Sequence, residues 1–191
     1  DVDLYAVNIW NGYVPIYRVV WGDYNLGHGR TIRYSKNNDN MVPELASMFL
    51  DGTIIGRFFC EGDFIFSPEK QPADLAYFKK LVAYTDAGLD YLRFGECLRP
   101  LALAVPDLTF TEGVENGLVT VPAVMNHVLR SHRDGSVAIV LVNVGATALE
   151  ADVPIDPALR AESLGQASPE AKLSRMDETG RRTQLRTGRA P

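Results

Sequence analysis

Cysteine is scarce in this sequence of 191 residues. Its two cysteines, Cys60 and Cys97, are too few for a disulfide framework and lack metal-ligand spacing. Two buried free thiols are the reading they favour. Histidine is nearly as rare, and His28, His127 and His132 show no spacing that would hold a metal. Long apolar runs are missing as well. None approaches the ~18 residues needed to span a bilayer, so no membrane partner is expected. Positive charge is in deficit: 19 Lys and Arg face 24 Asp and Glu, a formal charge of −5. That balance argues against non-specific binding of nucleic acid or of an anionic membrane surface. The first residue is Asp1, and no basic-then-apolar leader follows it. A phosphate-cradling G-x-x-x-x-G-K-[ST], a G-x-G-x-x-G after a strand and a G-x-S-x-G elbow are all absent, and no cofactor is implied.

What is present is an ordinary globular composition, 46% hydrophobic and 23% charged, with neither repeats nor low-complexity tracts. Two styles of sequence meet near Leu101. Residues 14–21 (VPIYRVVW) are β-branched and aromatic and predict a buried strand, followed by a Gly-rich polar loop over 22–38. Asn38 or Asp39 then caps a helix carrying Met41, Leu45, Met48 and Phe49 on one face, which Asp51-Gly52 stops. A second short strand is predicted at 53–59 (TIIGRFF), then a loop rich in acidic and aromatic residues over 61–71. Leu75, Phe78, Val82 and Leu89 recur at helical spacing, with Pro72 at the start and Gly95 beyond the end. Strand, loop, helix, repeated, is the rhythm of parallel α/β architecture.

After Pro100 the pattern becomes strand-like, in 101–110, 118–131, 136–145 and 148–155. Residues 132–135 (HRDG) join two long strands, and Asp-Gly is a strong hairpin cue. Leu149, Ala151, Val153 and Ile155 alternate as in a strand with one dry face. The expectation for this half is an antiparallel β-sandwich. From Arg160 the tail is polar, with seven Lys and Arg against four Asp and Glu, and 173–185 suits a last hairpin about Glu178-Thr179-Gly180 or else disorder. The first half supplies at most two strand–helix units, whereas parallel sheets are normally buried on both faces. The chain is therefore expected to be the back end of a larger protein.

Functional groups in α/β folds lie past the C-terminal ends of strands. Asp23 stands there, between Trp21 and Tyr24, with His28 shortly after. A carboxylate flanked by aromatic rings suits a sugar: rings stack on the C–H faces, and the carboxylate binds hydroxyls or acts as acid, base or nucleophile. The competing reading makes Asp23 a turn residue and Trp21 ordinary core. Trp10, with Tyr5 and Asn8, precedes the first strand and belongs either to an upstream site loop or to packing. Arg57, Glu61 and Asp63 follow the apolar part of the second strand and face the pocket by the same logic, although a solvated acidic loop accounts for Glu61 and Asp63. Glu96, near Arg99, reads as an ion pair at a junction. His127 and His132 fall on or beside a hairpin, where surface positions are the default.

PIYRVVWGDY, FLDGTIIGRFF and AYFKKLVAYTDAGLDYLRFGECLRPL together resemble the last units of a (β/α)8-barrel glycoside hydrolase, of an uncharacterised group related to α- and β-galactosidase-like enzymes. In that group a stretch similar to YLRFGECLRPL closes the barrel, and one similar to VPAVMNHVLRSHRDGSVAIVLVNVG opens a C-terminal β-sandwich. The resemblance covers roughly residues 14–155. It implies that residues 1–100 are the end of a TIM-like barrel, 14–21 its seventh strand and 53–59 its eighth, and that 101–191 form the sandwich domain. Related sequences carry a His-Glu-Tyr-like triplet where this chain has Gly22-Asp23-Tyr24. The implied activity is hydrolysis of a glycosidic bond by a carboxylate pair, with Asp23 as one member or as a substrate ligand. Trp21, Tyr24, His28, Arg57 and Trp10 are the expected substrate contacts, and a carbohydrate is the expected partner. The second carboxylate would come from the missing N-terminal barrel portion, which leaves this chain inactive by itself. The alternative is a non-catalytic carbohydrate-binding or structural β-sandwich module.

Overall fold

A computed structural model describes residues 32–34, 41–55, 58–60, 72–111, 118–155 and 173–185. Among them, three helices and four small sheets form a mixed architecture in which antiparallel pairing predominates.

Strand β1 (Ile32–Tyr34) and strand β2 (Phe58–Cys60) pair in parallel, with Ile32 opposite Phe58 and Tyr34 opposite Cys60. Helix α1 (Met41–Leu50) is the crossover between them. Parallel neighbours need such a crossover, so the first half does contain a strand–helix–strand unit. Its first strand corrects the expectation of one continuous loop over 22–38. Ile32 and Tyr34 are β-prone, but the five residues between Gly29 and a Ser-Lys-Asn-Asn run make too short a pattern to read. The second strand also starts later than the predicted 53–59, at Phe58.

Helix α1 is buried on nearly every side: Met41, Pro43, Leu45, Ala46, Met48, Phe49 and Leu50 are all inside. That all-round burial is what an apolar helix needs when neighbours cover each face. Pro43 costs nothing because a first-turn N–H has no partner within the helix. The helix ends as anticipated. Gly52 takes φ of 64°, a left-handed conformation that favours glycine. There the Gly52 N–H reaches the Phe49 carbonyl at 3.1 Å, and the Thr53 N–H and hydroxyl both donate to Met48 O at 3.1 Å.

Helix α2 (Pro72–Ala87) begins at the predicted proline. It stops at Gly88, after which a short helix α3 (Leu89–Leu92) follows. The buried face is not the predicted stripe. Leu81 and Thr85 are inside with Tyr77, Phe78 and Tyr84 against them, whereas Val82 and Leu89, expected in the apolar stripe, are 36% and 40% exposed. Thr85 stays satisfied by donating to the Leu81 carbonyl at 2.9 Å.

Strand β3 (Glu96–Leu98) then pairs antiparallel with β6 (Val124–Arg130), which pairs antiparallel with β7 (Val137–Asn143). A separate ribbon joins β4 (Asp107–Thr111) to β5 (Leu118–Pro122). The apolar run 118–131 is thus two strands in two sheets. Ala123 is the transfer point: its N–H donates to Pro106 O at 2.8 Å and its carbonyl accepts from Val144 N at 2.9 Å. The 132–135 hairpin forms, with the Ser131 N–H on Ser136 O at 2.9 Å. So does the terminal hairpin, β8 (Ser174–Met176) against β9 (Arg182–Gln184).

Residues 148–155 do not form the expected strand, and Leu149 and Ile155 lie exposed. Alternation suits a strand but supplies no partner. The turn before it closes on itself instead, through Asn143 Nδ2 to Thr147 O at 2.7 Å and Gly145 N to Asn143 Oδ1 at 2.8 Å. Residues 101–106 are likewise irregular, and only the end of the predicted 101–110 strand pairs.

One apolar cluster runs across the Leu101 junction. It combines α1, Leu81, Tyr91 and Leu92 with Val119, Val121, Leu129, Val142 and Val144. One face of the three-stranded sheet supplies Cys97, Met125, Leu129, Ala138, Val140 and Val142 to it. The helical and sheet-rich halves therefore share a core.

Candidate functional site

Asp23, Trp21, Tyr24, His28, Arg57 and Trp10 all lie outside the described residues, as do Tyr5, Asn8, Glu61 and Asp63. In chain order β2 begins immediately after Arg57, so the strand-end argument applies to the residues that follow Cys60.

Among the described residues, two polar constellations stand out. The first is buried. On β6, His127 is in phase with Met125 and Leu129 and pairs with Val140, which aims its ring at the core rather than at solvent. Its side chain is 13% exposed and its Nε2 lies 3.9 Å from Oδ1 of Asp51, just past the end of α1. This corrects the expectation of a surface histidine. The two-residue period does not reveal it, because the phase of Asn126 and Arg130 also holds Val124 and Val128, and Val128 is as buried as Leu129 in the phase of His127. At 3.9 Å the couple is an ion pair when His127 is protonated rather than a hydrogen bond. A carboxylate beside an imidazole can hold a proton, and here both side chains are largely covered. Among the described residues no group of three or more His, Cys, Asp or Glu is arranged to hold a metal ion.

The second constellation is at the surface, where α3, the 132–135 turn and the terminal hairpin converge. Tyr91 Oη and Ser136 Oγ are 2.7 Å apart, Ser136 Oγ donates to Asp134 Oδ1 at 2.5 Å, and Arg182 Nη2 donates to Tyr91 Oη at 3.1 Å. The Arg182 guanidinium also sits 5.9 Å from the Tyr91 ring centroid. Beside them Arg133 bonds Asp90 at 3.0 Å. The Ser136 hydroxyl and N–H hold the Asp134 carboxyl below its ordinary range, and Arg182 adds to this from further away.

Glu96 forms the ion pair anticipated for it, with a different partner. Arg130 meets it at 2.9 Å across the β3–β6 pair, where the register sets the two residues opposite. Sequence spacing pointed to Arg99 because only sheet pairing brings position 130 alongside position 96.

No protein-family model, no curated protein and no solved structure matches the chain.

Proposed function

We propose that this chain is the C-terminal part of a carbohydrate-active, glycoside-hydrolase-like protein. Its β1–α1–β2 unit and α2 would be the last turns of a (β/α)8 barrel, and strands β3 to β7 part of an accessory β-sandwich. The observation that carries the reading is the parallel pairing of Ile32–Tyr34 with Phe58–Cys60 around a crossover helix, followed by a second helix and then by antiparallel pairs. A two-stranded parallel pair cannot bury both of its faces alone, which fits a sheet continued by other strands. Asp23 is the carboxylate of the sugar site, as one of the hydrolytic pair or as a substrate ligand. Trp21 and Tyr24 stack on the sugar, and Trp10 and His28 contact its hydroxyls or an anionic substituent. The shared core across Leu101 favours this reading over a free-standing sandwich module, which would keep its apolar residues to itself.

The test is hydrolysis of a panel of aryl glycosides by the full-length parent, alongside Asp23→Asn. Turnover lowered by about a hundredfold or more in the variant, with an intact fold, supports the glycosidase and Asp23 at its chemistry. Turnover that survives makes Asp23 a turn or binding residue, and no hydrolysis of any sugar moves the reading to the binding module.

A further inference from the structure

The surface constellation has a direction, which follows from counting hydrogens. A guanidinium only donates, and an ionised carboxylate only accepts. The single Ser136 hydroxyl hydrogen goes to Asp134. The hydrogen between Tyr91 and Ser136 must then come from Tyr91, and the Tyr91 oxygen accepts from Arg182. The chain of donors runs Arg182 to Tyr91 to Ser136 to Asp134, from a cation to an anion through two hydroxyls. Each bond polarises the next in the same sense, so the links reinforce one another.

The three elements it joins are far apart in sequence. Arg182 belongs to β9, Tyr91 to α3, and Ser136 and Asp134 to the turn between β6 and β7. The rest of the terminal hairpin meets the end of α2 and Gly88. Met176 lies 3.4 Å from where a Cβ would stand on Gly88, and Ala87 is the nearest neighbour of Gly180, at 3.8 Å from the same construction. Glu178 bears on Tyr84, whose hydroxyl is pushed up in pKa by burial and by that carboxylate. Since an isolated two-stranded hairpin is barely stable in water, this one depends on what holds it down.

We infer that the terminal hairpin is a strap latched by the directed relay Arg182–Tyr91–Ser136–Asp134, so that the 134–136 turn bears on its attachment through Tyr91 as well as by direct attraction between Asp134 and Arg182. Ser136 is a positioning residue for the hairpin. With its own hydrogen on Asp134, Ser136 accepts from Tyr91, and the Tyr91 oxygen polarised in this way is a better acceptor for Arg182. The coupling is reciprocal, as any linkage between two equilibria is.

Amide hydrogen exchange in the 191-residue chain tests it, comparing Ser136→Ala, Tyr91→Phe and Ser136→Thr with the wild type. Ser136→Ala and Tyr91→Phe both leave Arg182 and Asp134 charged and in place, so direct attraction between the two survives in each. The readout is the pair of hairpin amides bonded across β8 and β9, Asp177 to Arg181 O and Leu185 to Leu173 O. The relay predicts roughly threefold to tenfold faster exchange there in both variants, the worth of one ordinary hydrogen bond. The Val144 amide, bonded to Ala123 O in the core, keeps its wild-type rate, and Ser136→Thr restores the hairpin amides because it keeps the hydroxyl. Acceleration in Tyr91→Phe alone overturns the relay and leaves a simple Arg182–Tyr91 contact. Unchanged hairpin amides in both variants, or equal acceleration at Val144, overturn the latch.

Discussion

Asn126 does with a side chain what a strand does with its backbone. Its Oδ1 accepts from the Leu101 N–H at 2.7 Å and its Nδ2 donates to the Leu101 carbonyl at 3.1 Å. Both polar groups of a half-buried, irregular residue are thereby satisfied where no neighbouring strand offers a partner. Asn126→Ala strands both groups, and at about 1 kcal/mol per bond the loss is expected to be about 2 kcal/mol. Urea denaturation of the variant measures it. An unchanged midpoint would show that water replaces the amide fully. Gly95 carries the opposite constraint, lack of room. A Cβ there would stand 2.5 Å from the Tyr91 carbonyl oxygen and 3.0 Å from Arg130 O, and both are backbone atoms that cannot swing aside. Gly95→Ala therefore forces the α3–β3 connection to move, with an expected cost of about 1–3 kcal/mol by thermal melting.

At the scale of elements, local pattern and tertiary pairing contribute unequally. Helix α1, the end of it at Asp51-Gly52, the start of α2 at Pro72 and the 132–135 turn were legible, because each depends on residues close in sequence. Strand β3 was not. Glu96, Cys97 and Leu98 look like the end of a helical region and become a strand only by lying against Arg130, Leu129 and Val128. Residues 148–155 are the mirror case, with a clean alternation and no strand to pair with among the described residues. The transfer at Ala123 was also hidden, since nothing in LVTVPAVMNHVLRS marks where one sheet hands the chain to the other. Two backbone hydrogen bonds, to Pro106 and from Val144, make that division.

For the molecule as a whole, stability is expected to fall at both ends of the pH range for opposite reasons. The Asp134 and Asp177 carboxyls are held below the ordinary 3.8 by hydrogen bonds from Ser136 and Thr179. Their contribution is present above that value and is lost as pH drops and the folded state must take up protons. Tyr77 behaves in the other sense. Its hydroxyl is buried with no hydrogen-bond partner among the described residues, and desolvation pushes its pKa far above the ordinary 10.0. The unfolded chain ionises first, so stability holds below pH 10 and falls as pH rises beyond it. Tyr77→Phe is expected to flatten the alkaline limb of a pH–stability curve while leaving the acid limb alone. An unchanged alkaline slope would mean that the Tyr77 hydroxyl reaches water.

By itself the sequence determined the things that short-range chemistry decides. Those are the absence of a long apolar span, the acidic balance, helix ends at Gly52 and Pro72, the turn at 132–135, and the change from helical to strand-like texture near Leu101, while for the last segment it offered a hairpin about Glu178-Thr179-Gly180 or else disorder. Of the candidate sugar site it offered Asp23 between two aromatic rings, a pattern that needs no fold to be visible. Tertiary structure alone decided which strands exist and which faces are dry. His127 lies largely covered because α1 packs against β6, Val82 is exposed because the face of α2 that carries Leu81 and Thr85 is the one turned inward, and Arg130 rather than Arg99 meets Glu96. The reason is common to all three. A strand or a buried face is a relation between segments distant along the chain, and only the folded molecule brings them together.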